Sequence, residues 1–270
     1  MTLDIKVRNA VHITGSGEQT IVFAHGFGCD QTVWNHVIPA FEKQYRIVTF
    51  DYVGSGHSDK RAYSAERYES LPGYAQDVIE VCDALELKDI IYVGHSVSGM
   101  IGVLASIQRP DLMEKLIMIG PSPHYLNEPD YRGGFEREDI DELLDMMEMN
   151  YKEFTKYLAP IAMKNEDRPH LSDEFESMLC ANDPGIARRF AKATFMSDVR
   201  EELSKVTTKT LILQPTEDSI VPIEVGYYIE EHMSNSELVI MKAKGHNPHI
   251  SHPTETIKEI TRFIEEDGSV

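Results

Sequence analysis

Six short apolar runs, set apart by longer segments of helical periodicity, limit what this chain can fold into. They are "TIVFAHG" at 20 to 26, "YRIVTFD" at 45 to 51, "IIYVG" at 90 to 94, "KLIMIG" at 115 to 120, "TLILQ" at 210 to 214 and "LVIMK" at 238 to 242. Each is short, rich in β-branched residues and without polar alternation, the pattern of a strand buried on both faces. Between them Tyr74, Val78, Val81 and Leu85, and later Ile257, Ile260 and Ile264, recur at helical spacing. Such helices suit the two faces of a mostly parallel sheet, so the expected class is α/β. The opening "DIKVRNAVHITGSGEQT" alternates in part around Gly15-Ser16-Gly17, which predicts an antiparallel hairpin at one sheet edge.

The alternation breaks once. From 122 to 196 no strand pattern appears, whereas Ile140, Leu143, Leu144, Met147, Tyr151, Phe154, Leu158 and Ile161 form an amphipathic helical stripe, kinked or split along its length. The division expected is a core of 1–121 and 197–270 interrupted by a helical insertion at 122–196. Residues 128 to 148 hold nine acidic side chains against Arg132 and Arg137, a strongly negative solvated face. The whole chain of 270 residues carries a formal charge of -19, which argues by repulsion against nucleic acid and anionic membrane surfaces as partners and leaves neutral or cationic ones open. Cys29, Cys82 and Cys180 are odd in number and lack metal-ligand spacing, so reduced, mostly buried thiols are expected rather than disulfides or a cysteine zinc site. Neither a signal-peptide pattern nor an uncharged apolar run of about 18 residues occurs. A cytoplasmic, soluble protein is expected.

Chemistry concentrates where the strands end. In "IIYVGHSVSGMIGV" at 90 to 103, Ser96 stands at the junction of a strand and a small-residue helix. A sharp bend there holds the apex residue in a strained backbone and pushes its side chain outward. Gly94-His95-Ser96-Val97-Ser98 fills four of the five places of the nucleophile elbow G-x-S-x-G, with Ser98 in the last. A serine that merely caps a helix is the alternative. A serine hydroxyl needs a base and an orienting acid to act as nucleophile, and both follow in order. Asp218 comes just after the 210–214 strand and His246 just after the 238–242 strand. Parallel strands end on one edge of the sheet, so the three converge despite their sequence separation. Glu217 competes with Asp218, but the shorter acid suits the turn before Ser219-Ile220-Val221-Pro222 better. His249 and His252 compete with His246, whose preceding Gly245 frees the backbone to present the ring. The glycine-rich turn in "FAHGFGCDQTVW" would supply an oxyanion hole from the backbone N–H groups of Phe27 and Val97. The "GSGHSD" at 54 to 59 lacks the third glycine of a dinucleotide loop and reads as packing beneath that turn.

Taken together, "HGFGCDQTVW", "DYVGSGHSD", "GYAQDVIEVCDALEL", "GHSVSG", "GPSPHYLN", "GGFE", "ILQPTEDSIVP" and "GHNPHISHP" resemble one branch of the α/β-hydrolase superfamily. That branch holds the bacterial RsbQ-type regulator of the general stress sigma factor B and the plant karrikin and strigolactone receptors. The resemblance spans nearly the whole chain. It implies an eight-stranded hydrolase core with a four-helix lid, with Ser96, Asp218 and His246 as nucleophile, acid and base. It also places Phe27, Phe135 and Phe195 at positions lining an apolar substrate pocket; ordinary core or lid packing is the other reading of each. The implied activity is that of a serine hydrolase on a small apolar ester or lactone, coupled to stress signalling through a phosphatase with a PAS sensor domain. A metabolic esterase without a signalling partner, or a binding module with a little-used triad, are the alternatives. Triad and water complete such a reaction, so no metal or organic cofactor is implied.

Overall fold

In the computed structural model, which describes residues 4–266, seven strands form one sheet in the order β1-β3-β2-β4-β5-β6-β7. They are β1 (His12–Thr14), β2 (Thr20–Ala24), β3 (Arg46–Thr49), β4 (Ile90–His95), β5 (Met113–Ile119), β6 (Lys209–Glu217) and β7 (Ser236–Lys244). Every apolar run supplies most of one of these strands, from β2 to β7. All neighbours are parallel except β1 and β3. Each residue of β2 and β4 is buried. Because successive side chains point to opposite faces, full burial requires cover on both.

The N-terminal hairpin does not form. Ile5–Arg8 make a single helical turn, α1, whose Lys6 amide donates to Asp4 Oδ1 at 2.9 Å. The opening therefore contributes one strand, and the described residues hold seven strands where the resemblance implies eight. β1 pairs with β3 instead of its sequence neighbour because β3 and β4 already occupy both edges of β2.

Helices α2 (Leu71–Ala84) and α3 (Val97–Gln108) pack on each other beside β4. Tyr74, Val78 and Val81 form the buried face of α2. After β5 the chain builds four helices before returning to β6: α4 (Arg137–Met149), α5 (Tyr151–Met163), α6 (Pro169–Cys180) and α7 (Pro184–Phe195). The amphipathic stripe splits at Asn150, which leaves helical geometry at φ -155 and caps α5 by accepting from the Glu153 amide. All nine acids of 128–148 are exposed, while Ile140, Leu143, Leu144 and Met147 are buried. The core closes with α8 (Ile223–His232), α9 (Pro248–Ser251) and α10 (Pro253–Glu265), the last burying Ile260 and Ile264. Cys29 and Cys82 are buried free thiols, and Cys180 is an exposed one.

Strand order reverses between β2 and β4, because the chain passes from β3 back across β2 to reach β4. Loops leaving the carboxyl ends of strands at such a point diverge and open a crevice. Ala24 pairs with Gly94 at that edge, so the turn after β2 and the turn after β4 face one another.

Candidate active site

Ser96 lies at φ 55 and ψ -123, a conformation that costs a non-glycine residue about 1–3 kcal/mol. The surroundings hold it there. Its amide donates to the Ile119 carbonyl of β5 at 2.8 Å, and a Cβ on Gly94 would meet the Ser98 carbonyl at 2.5 Å. Ser98 is more than a tolerated substitute for glycine. Its buried hydroxyl donates to the His25 carbonyl at 2.5 Å and meets the Tyr52 hydroxyl at 2.8 Å, tying the first turn of α3 to the end of β2.

His246 Nε2 is 2.7 Å from Ser96 Oγ, and His246 Nδ1 is 2.7 Å from Asp218 Oδ2. The Asp218 side chain is fully shielded and its Oδ1 accepts from the amides of Ile220 at 2.7 Å and Val221 at 3.1 Å. Glu217 turns away: its carboxylate meets Lys244 at 2.7 Å and Lys164 at 3.6 Å, and the Lys244 partner holds its carboxyl below the usual range. Gly245 sits at φ 84, and a Cβ there would meet the Met163 carbonyl at 2.2 Å. Close approach to α5, as much as backbone freedom, requires glycine at this position. The next amide, of His246, donates to the Ala162 carbonyl at 2.7 Å, so the insertion fixes the loop that carries this ring.

The other histidines are not interchangeable with His246. His249 is fully buried, its ring tilted against Trp34 at 4.6 Å and His95 at 4.3 Å; burial pushes it down to about 3. His252 meets Ser251 Oγ at 2.8 Å, and burial lowers it from its ordinary value. His95 Nε2 lies 2.8 Å from the His246 carbonyl, which can only accept, so Nε2 carries the proton. Burial, then the nearness of His249 and His246, pushes His95 well below the ordinary histidine range.

A cavity of about 30 Å³ opens onto Ser96, lined among others by Phe27, Tyr125, Leu158, Phe175, Phe195 and Ile220. Phe27 meets Phe195 at 6.2 Å and Phe190 at 5.8 Å. Phe135 is placed differently from the expectation. It packs on the far side of Phe195 at 5.8 Å and lines a separate depression of about 270 Å³ between α4 and α5. Leu158, Phe195 and Ile220 border both spaces. Phe135 thus borders the outer depression, with Phe195 between it and the inner cavity. Val97 opens α3, so its amide lies in the first turn, which intrahelical carbonyls do not reach. Phe27 and Ser96 line the same cavity.

Sequence reasoning missed Tyr125, Leu158, Phe175 and Ile220. Tyr125 and Ile220 follow β5 and β6, and position past a strand's carboxyl end was the available signal. Leu158 read only as part of the helical stripe, and Phe175 carried no signal of its own. The Tyr125 hydroxyl faces Ser96 without a well-formed hydrogen bond, and burial keeps it a neutral phenol. The loop at 54 to 59 binds itself and its neighbours: Gly54 donates to Ser58 Oγ at 2.9 Å, and His57 and Gln31 amides share the Asp51 carboxylate at 2.8 and 2.9 Å.

The family model of the alpha/beta hydrolase fold matches residues 19–253. The chain belongs to the α/β-hydrolase family. Among curated relatives, this α/β hydrolase is 42% identical to "Karrikin insensitive 2 receptor CA" of Petunia hybrida, over 96% of the chain and 97% of that protein. It is 37% identical to "Strigolactone esterase D14" of Arabidopsis thaliana, over 94% of the chain and 95% of that protein. Among solved structures, a hydrolase from Oleispira antarctica superposes with a TM-score of 0.95 and 44% identity, covering 97% of both chains. The chain is accordingly a hydrolase of esterase type. No helix among the described residues is long and apolar enough to cross a membrane.

Proposed function

We propose that the protein hydrolyses a small, neutral, mainly apolar ester or lactone through Ser96, His246 and Asp218. One observation carries this reading: a continuous hydrogen-bonded chain from a strained serine through an imidazole to a shielded carboxylate, opening into an apolar cavity. His246 Nε2 takes the Ser96 proton as Oγ attacks the substrate carbonyl carbon, and Asp218 holds Nδ1–H and steadies the imidazolium that results. The amides of Phe27 and Val97 receive the negative charge that develops on the carbonyl oxygen. As the tetrahedral centre collapses, the C–O bond breaks and the His246 proton passes to the leaving alkoxide. Water then attacks the Ser96 acyl ester, giving a proton to His246; the acyl–Oγ bond breaks, His246 returns that proton to Ser96 Oγ, and the acid product departs. Phe27 and Phe195 line the inner cavity, Phe135 lines its mouth, and the helical insertion acts as a lid. A 30 Å³ cavity holds about one water, so a substrate enters by displacing lid side chains.

The test is a panel of short acyl esters and butenolide-type lactones, read by turnover and by the mass of a trapped Ser96 adduct. Turnover with loss of both adduct and activity in Ser96→Ala is the expected result; equal rates in wild type and variant would overturn the assignment.

A signalling reading is favoured by the receptor names of relatives that span nearly the whole chain. In it, ligand in the pocket changes how the insertion packs, and a protein partner reads the insertion's surface. Met149 and Tyr157 are exposed there, 86% and 54%. The partner implied by the resemblance to the RsbQ-type regulators is a PAS-domain phosphatase acting on the sigma factor B pathway. A pull-down with a Met149→Ser/Tyr157→Ser variant that retains ester turnover tests this: loss of the phosphatase supports it, and no retention by wild type with or without ligand returns the protein to plain hydrolysis.

A further inference from the structure

The insertion leaves and rejoins the core at one place. His124 and Glu128 lie on the segment that departs after β5, Asp198 and Arg200 on the one that returns after α7, and His124 faces Asp198 across an antiparallel bridge. His124 is 5% exposed. Its Nδ1 is 2.8 Å from the Ser197 carbonyl. A carbonyl only accepts, so Nδ1 carries a proton, and Nε2 is the nitrogen turned into the cluster. That buried Nε2 has no hydrogen-bond partner, and it points at Glu128 Oε1, 3.4 Å away. His124, Glu128 and Asp198 each offer one ligand atom within 4.8 Å of the others.

An imidazole nitrogen and two carboxylates drawn together need something positive among them, a bound cation or a proton on Nε2. Arg200 supplies part of it, clasping both oxygens of Asp198, Oδ1 from Nε at 2.9 Å and Oδ2 from Nη2 at 2.5 Å, and donating to Glu128 Oε2 at 2.9 Å, with its guanidinium over the Tyr131 ring at 4.9 Å. Glu128 Oε1, which faces the imidazole, takes no hydrogen bond from Arg200, and two carboxylates against one guanidinium leave one negative charge beside the ring. An imidazole whose Nδ1–H is held by a backbone carbonyl is already oriented as a metal ligand through Nε2.

We propose that His124, Glu128 and Asp198 form a binding site for a divalent transition ion of the zinc type. One imidazole nitrogen and two carboxylate oxygens, with water in the fourth position, suit such an ion, whereas the calcium and magnesium sites of proteins are built from oxygen alone. The ion takes no part in ester chemistry. It ties the departing and returning segments of the insertion, next to Tyr125 in the cavity wall, and so fixes how the insertion seats over Ser96.

Metal-free full-length protein is titrated with Zn2+ by calorimetry and with Co2+ by visible absorption, in wild type, His124→Gln and Glu128→Gln. Expected are a Zn2+ site in wild type that raises the melting temperature, and a Co2+ d–d spectrum of four-coordinate intensity, both lost in either variant. Circular dichroism of each variant establishes that it folds; should His124→Gln not fold, Glu128→Gln, altered at an exposed residue, decides alone. Equal Zn2+ affinity in wild type and folded variants, or absence of binding in wild type, overturns the proposal. So does an NMR signature of a protonated His124 Nε2 at neutral pH in saturating Zn2+, which would show a proton in the ion's place.

Discussion

Ser96 and Ser98 share one turn and serve opposite ends. Ser96 spends backbone strain to face the cavity, and Ser98 turns inward to hold the turn against β2 and Tyr52. Removing the Ser98 hydroxyl leaves the His25 carbonyl and Tyr52 hydroxyl short of a partner in a dry interior. Ser98→Ala should therefore lower unfolding free energy by about 1–3 kcal/mol in urea titrations while turnover per folded molecule changes little. The adjoining carboxylates 217 and 218 separate orientation from mere charge. Asp218→Asn should cut kcat by about 10⁴ through the wrong His246 tautomer, whereas Glu217→Gln, which loses an exposed pair with Lys244, should leave it within about twofold. Steady-state kinetics on one ester decides; the reverse ranking would move the acid to Glu217.

At the scale of elements, the junction of α4 and α5 shapes the depression beside the cavity wall. Asn150 breaks what would be one long helix, and the resulting bend leaves the depression lined by Phe135, Leu143 and Met146 beside the Phe195 wall. Phe135 sits on that approach and not against Ser96, so its substitution should act on entry. Phe135→Glu is expected to raise KM severalfold for apolar esters, with kcat and melting temperature near wild type, because it adds charge at a half-exposed position. A fall in kcat with unchanged KM would place Phe135 against the reacting atoms.

Across the whole molecule, buried neutral histidines couple stability to acid. His249 is pushed down to about 3 and His95 lies well below its ordinary value, both mainly by burial. In the unfolded chain these rings titrate near 6.5. Between about pH 6.5 and pH 3 the unfolded state therefore binds more protons, and stability falls as pH falls through that window. His249→Phe should flatten the acid limb of a melting temperature profile relative to wild type, with little difference above pH 7. An unchanged acid limb would assign the loss of stability to other groups.

Much of this was legible locally. Six buried strands announce themselves because a parallel sheet covered on both faces needs uninterrupted apolar runs, and the order of Ser96, Asp218 and His246 follows from residues placed just past strand ends. The elbow was legible because a strand that turns at once into a helix demands small residues at fixed places. Other features depend on partners far away in sequence. Asp4 capped one helical turn where a hairpin strand was expected, and β1 found β3 because β2 had no free edge. Phe135 and Phe195 are equally aromatic, but only the packing of four helices put one on the cavity and the other behind it. His124 and Asp198 carry no shared spacing signal; they meet because an insertion must leave and return at neighbouring strands, β5 and β6. Periodicity and turn chemistry are local and can be read along the chain, whereas edge occupancy, cavity walls and clusters between distant segments arise only when the sheet has closed on its helices.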